Sequence, residues 1–133
     1  MTRRTRILSV ILGLIIVVAS ANALHIHQLE TELGLVATQR IDTFLGDIPV
    51  EEQAEYQFAS TVTASKTYLV LGAVQGKISV YMRHEAKDPD KVSGFEYFLE
   101  REAKDTWKQV ESGRCTSEHC TVEGLKVLRA LEQ

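Results

Sequence analysis

The sequence predicts an α+β protein: an N-terminal helix that serves first as a membrane or signal segment and then as the cover of an antiparallel sheet. Three observations carry that prediction. Ile7–Leu24 (ILSVILGLIIVVASANAL) holds no charge over eighteen residues, just enough to cross a hydrocarbon core as a helix. Residues 24–45 keep a helical apolar period. From Gln53 onward the period shortens to that of strands.

Arg3, Arg4 and Arg6 stand directly before the apolar stretch, and no Asp or Glu comes before Glu30. The basic flank belongs in the cytoplasm, and the chain beyond Leu24 belongs outside. A cleavable signal peptide is the competing reading. Its n-region would be Thr2–Arg6, its h-region Ile7–Val18, and Ala21-Asn22-Ala23 would supply the small-x-small cleavage signal. Both readings export the same domain, and they differ in whether it keeps a tether. The helical pattern runs past Leu24 without a break, which favours the anchor. Arg3-Arg4 does not make a twin-arginine signal, because Arg6 stands where an apolar residue is expected. No cysteine precedes Cys115, so there is no lipobox. The organisation expected is a basic tag at 1–6, a transmembrane or signal segment at 7–24, an exported α+β domain at 25–112 and a cysteine-containing tail at 113–133.

Charge narrows the partners. Three of the 15 basic residues precede the apolar stretch and all 18 acidic residues come after it, so the exported part carries a formal charge of −6. An acidic domain repels phosphate backbones, which excludes nucleic acid. The partners expected are the lipid bilayer through residues 7–24 and a membrane protein. No cofactor is expected.

The soluble part then reads in order. Leu29, Leu33, Val36, Ile41 and Phe44 mark one stripe of a helix, with Gly34 weakening it. Gly46 suits its C-cap and Pro49 prevents its continuation. His25 and His27 read as interfacial polar residues. Tyr56, Phe58 and Val62 share one face of a first strand near Glu55–Ala64. Ser65-Lys66 is expected as a turn, and Thr67–Val74 (TYLVLGAV) as a strand buried on both faces. Gln75-Gly76 reads as a tight connection. Lys77–His84 alternates, with Ile78, Val80 and Met82 on one side. Glu85–Val92 is a charged loop. Ser93–Arg101 places Phe95, Tyr97 and Leu99 together, and Thr106–Glu111 returns after a turn at Ala103-Lys104-Asp105. Four or five strands on short turns make an antiparallel meander with the helix on one face. Ser112–Cys120 is expected as loop, and Thr121–Leu131 as a short helix with Val122, Leu125, Leu128 and Leu131 on its apolar side.

The chemistry-bearing residues are few. Cys115 and Cys120 are the only cysteines, and an exported compartment makes a disulfide their natural state. A metal site would have to recruit His119 and His84 to them, and chain proximity alone supports that. Gly72–Lys77 has a glycine spacing one short of a phosphate-binding loop, with Ile78 where a Ser or Thr is required. Glu96 and Glu100 share a strand face, yet a solvated sheet explains them as well as acid/base work does. Trp107, the single tryptophan, reads as a packing residue, or as a partner anchor if its face is open. No catalytic constellation is expected.

Three segments resemble the Coa1/Tim21-type family of single-span respiratory-chain assembly and translocation factors. They are Phe44-Leu45-Gly46-Asp47-Ile48-Pro49, the stretch Tyr68–Val80 (YLVLGAVQGKISV) and Trp107. The similarity covers roughly Leu29–Glu111. It implies a non-catalytic role, binding membrane-protein subunits during assembly of cytochrome oxidase or a related complex in a bacterial inner membrane, with the N-terminus cytoplasmic and the domain periplasmic. Two alternatives stay beside it. One is a secreted or periplasmic, disulfide-closed ligand-binding or inhibitor-like domain released after Ala23. The other is a small hydrolase or metal enzyme, which needs His84, His119 and the cysteines or glutamates to converge.

Overall fold

One helix does two jobs. In the computed structural model, which describes residues 2–66, 73–115 and 118–131, α1 runs unbroken over Arg3–Gly46. At about 1.5 Å per residue these 44 residues extend about 66 Å. Its apolar eighteen-residue window, near the N-terminus, contains no buried residue. The second half buries Leu29, Leu33 and Ala37 completely, four residues apart and therefore on one face. Ile26, Val36, Ile41 and Phe44 flank that row. The helix stops at Gly46 without a left-handed glycine, since the cap residue Asp47 is right-handed (φ −85°). The Gln53 side-chain amide closes the end instead, donating to the carbonyls of Leu45 (2.8 Å) and Ile48 (3.1 Å).

Among the described residues the sheet has four strands: β1 (Tyr56–Lys66), β2 (Val74–His84), β3 (Val92–Ala103) and β4 (Thr106–Cys115). Their order is β1-β2-β3-β4, antiparallel throughout, the meander that sequential pairing predicts. The α+β class and the faces read from alternation hold. Phe58, Val62, Ile78, Val80, Tyr97 and Leu99 all pack under α1.

Two strand boundaries differ from expectation. Lys66 pairs with Val74, so Ser65-Lys66 is the end of β1 rather than a turn. Of the strand expected at Thr67–Val74, residues 67–72 lie outside the described residues and Val74 opens β2. Gln75-Gly76 is not a connection. Gly76 sits inside β2, opposite Ala64 and Leu99. Its lack of a side chain answers a packing need: a Cβ there would lie 2.8 Å from both δ-carbons of Leu33 and 3.0 Å from Cζ3 of Trp107.

The region expected as a loop and tail is structured. β4 extends through Cys115, and α2 (Glu118–Leu131) packs on the sheet face opposite α1. The sheet is thus covered on both faces, not on one. α2 presents Cys120, Gly124 and Leu128, four residues apart, while Val122 and Leu131 are exposed. Gly124 sets this face. A Cβ on it would stand 2.5 Å from Cγ1 of Val92 and 2.9 Å from Cδ1 of Tyr81. Absence of that carbon lets the helix sit directly on β2 and β3, burying Tyr81 and Val92 with Leu128.

Candidate functional site

Three clusters stand out, and each fastens a helix to the sheet or the domain to its apolar arm.

The first is the junction of arm and domain. Lys66, at the end of β1, reaches α1 and donates from Nζ to Oδ1 of Asn22 (3.3 Å). Val17, Val18, Ala21, Asn22 and His25 line a groove of about 320 Å³ beside it. Asn22 is the central residue of the Ala21-Asn22-Ala23 motif. That motif is therefore helical and in contact with the sheet.

The second is a brace between α1 and the β3–β4 hairpin. Glu32 accepts two hydrogen bonds from Arg101, Nε to Oε2 (3.0 Å) and Nη2 to Oε1 (2.9 Å). Indole Nε1 of Trp107 adds a third (3.1 Å). The backbone N–H of Asp105 adds a smaller electrostatic preference for the charged carboxylate. Asp105 carries a positive φ of 62° in the two-residue turn that joins β3 to β4. The Arg101 hydrogen bonds, against the opposing effect of burial, hold the Glu32 carboxyl below its ordinary value, helped by the Arg101 charge and the Trp107 and Asp105 donors. Bidentate geometry explains why arginine rather than lysine is placed here. Beside the brace, Nη2 of Arg40 donates to Oε1 of Gln109 (2.6 Å) and its guanidinium lies 4.9 Å from the centroid of the Tyr97 ring. Trp107 is half-buried, its ring over Gly76 and its N–H on Glu32.

The third is the Cys115–Cys120 disulfide, with Cα atoms 5.9 Å apart. It ties the end of β4 to the first turn of α2 and adopts the state expected from the sequence. Cys115 lies opposite Gly94, whose absent side chain would otherwise meet the Cys115 Cβ at 2.9 Å. Glu96 projects from β3 toward the sulfurs and is ion-paired to Lys77 (3.1 Å).

The remaining sequence candidates fall elsewhere. His84 is held at the far end of β2. Its Nε2 faces Glu55 (3.1 Å), its Nδ1 accepts from the Lys87 amide (2.9 Å), and the Tyr56 ring meets it edge-on. The side chain of His119 lies outside the described residues. Gly72 lies outside them as well, and Ile78 is in the core under α1, so the Gly72–Lys77 stretch forms strand from Val74 on. Sequence reasoning did not pair Glu32 with Arg101. The available signal was that Glu32 falls three residues after Leu29, on the buried side of α1.

No known protein family matches this chain, and no curated protein or solved structure does either.

Proposed function

We propose that the chain is a single-span, non-catalytic binding module that holds an acidic α+β domain at the outer surface of a membrane. Residues 7–24 cross the bilayer, and Arg3, Arg4 and Arg6 remain on the cytoplasmic side. The partner is a membrane protein, engaged in the manner of a respiratory-complex assembly factor in a bacterial inner membrane.

The observation that carries this reading is the continuity of α1. The apolar arm and the helix that contributes Leu29, Leu33 and Ala37 to the core are one element. A cleavable leader is normally dispensable to the fold it exports. Here Asn22 bonds to Lys66, and the stretch from Asn22 to Leu29 is two helical turns without a break. Such a joint fixes the height and orientation of the domain above the bilayer, which suits a module that must meet a membrane-embedded partner. A disulfide in the domain suits an oxidising compartment on the far side of the membrane.

The test is the N-terminal sequence and intact mass of the protein from its native membranes, followed by alkaline washing and in vivo crosslinking. A start at Met1 or Thr2, retention in the washed membrane and crosslinks to integral membrane proteins are the expected results. A soluble chain starting at Leu24 overturns the anchor and leaves the released, disulfide-closed domain in its place.

A further inference from the structure

Folding sets a carboxylate beside the two cysteines of the disulfide. Glu96 comes from the middle of β3, Cys115 from the end of β4 and Cys120 from α2. One carboxylate oxygen and the two sulfurs all lie within 4.8 Å of one another. Cys120 is buried and Cys115 and Glu96 are half-buried. We propose that the reduced form of this latch is a binding site for a thiophilic divalent cation of the zinc type, with Cys115, Cys120 and Glu96 as its protein ligands.

The geometry and the donor set agree. Tetrahedral zinc, with Zn–S near 2.3 Å and Zn–O near 2.1 Å, places its donors about 3.6–3.8 Å apart. Opening the S–S bond to that spacing needs only small side-chain rotations, because the donors already share one envelope and the Cα atoms are 5.9 Å apart. Two thiolates and a carboxylate select zinc-like ions over calcium or magnesium, which prefer oxygen alone. Three protein ligands leave the fourth position open. A groove of about 290 Å³ lined by Val92, Gly94, Arg114 and Thr121 adjoins Cys115. Lys77 holds Glu96 in the oxidised state and must release it to the cation.

The chemistry balances in two steps. A dithiol reductant supplies two electrons and two protons; the Cys115–Cys120 bond breaks to give two thiols, and the reductant leaves as its own disulfide. Cation binding then displaces the two thiol protons to solvent. Either state joins β4 to α2, by a covalent bond or through the ion, so the latch stays shut while its chemistry changes.

The experiment uses the full chain in detergent micelles, reduced with a dithiol, desalted without oxygen and titrated with Co²⁺. A thiolate-to-cobalt charge-transfer band saturating at one ion per chain is expected, with none from the oxidised chain or from Cys115→Ser. Glu96→Gln weakens Co²⁺ binding by about tenfold or more, at least the loss seen when a mere supporting partner of a ligand is removed. Lys77→Met, which removes the competing ammonium and no donor, tightens it. Absence of the band, whatever the fold of the reduced chain, overturns the proposal. So does a band of unchanged affinity in Glu96→Gln.

Discussion

Replacing Glu32 by Gln removes one charge at the point where the helix meets the β3–β4 hairpin. The side chains of Glu32 and Arg101 are 14% and 21% exposed, between the surface pairs that contribute under about 1 kcal/mol and the buried pairs whose disruption costs about 3–5 kcal/mol. The carboxylate accepts from Arg101 twice and from Trp107 once. A glutamine keeps the shape but leaves the guanidinium without its anion. The loss expected at pH 7 is about 2 kcal/mol, or about 10 °C in the melting temperature of a domain of this size. Arg101→Met should lose a similar amount. Their double mutant should lose less than the sum, by about 1–2 kcal/mol. Denaturant unfolding of the full chain in detergent, followed by Trp107 fluorescence, measures all four corners of the cycle. The pH dependence has a definite sign. The folded-state pKa of Glu32 lies below its ordinary value of 4.5, so the unfolded chain takes up the proton first. The stabilisation is complete above that ordinary value and is lost as pH falls toward and through the folded pKa. Glu32→Gln should lack this component of the acid limb. A coupling below about 0.5 kcal/mol, together with an unchanged acid limb, refutes the brace.

Three further outcomes rest on the packing. Gly34→Ala should stabilise by up to about 1 kcal/mol, since nothing lies within 4 Å of the added methyl and the residue is in mid-helix; thermal melts read it directly. Gly124→Ala should destabilise by about 1–3 kcal/mol despite the same gain in helix propensity, because its Cβ would stand 2.5 Å from Val92; loss of amide-exchange protection concentrated in α2 checks the cause. Leu33→Ala should cost about 3 kcal/mol or more, as the side chain is wholly buried between Gly76 and the rest of the core, and the midpoint of denaturant unfolding reports it.

The sequence alone determined the features that depend on local period and composition. A charge-free run of eighteen residues has one economical conformation in an apolar medium, and α1 takes it. Alternation of Phe58, Val62, Ile78, Val80, Tyr97 and Leu99 specified which side of each strand faces the helix, because a one-residue slip would turn every one of them outward. Two cysteines five apart, in a chain that opens with a long apolar helix, pointed to the disulfide. Contacts between distant segments decided the rest. Gly76 and Gly124 carry the same local signal, a break, yet both sit inside regular elements. Each is small because another side chain occupies the place of its Cβ: Leu33 and Trp107 over Gly76, Val92 and Tyr81 against Gly124. A one-dimensional pattern cannot distinguish a glycine needed for its backbone freedom from one needed for its missing atom. Glu32 finds its partners only in the folded chain, where the β3–β4 hairpin brings Arg101 and Trp107 to it. Glu96 looked like an exposed strand residue until α2 folded back and set Cys120 beside it. These pairings were settled by tertiary structure, since the free energy of a buried charge or of a ligand set belongs to partners that are neighbours only in the folded chain.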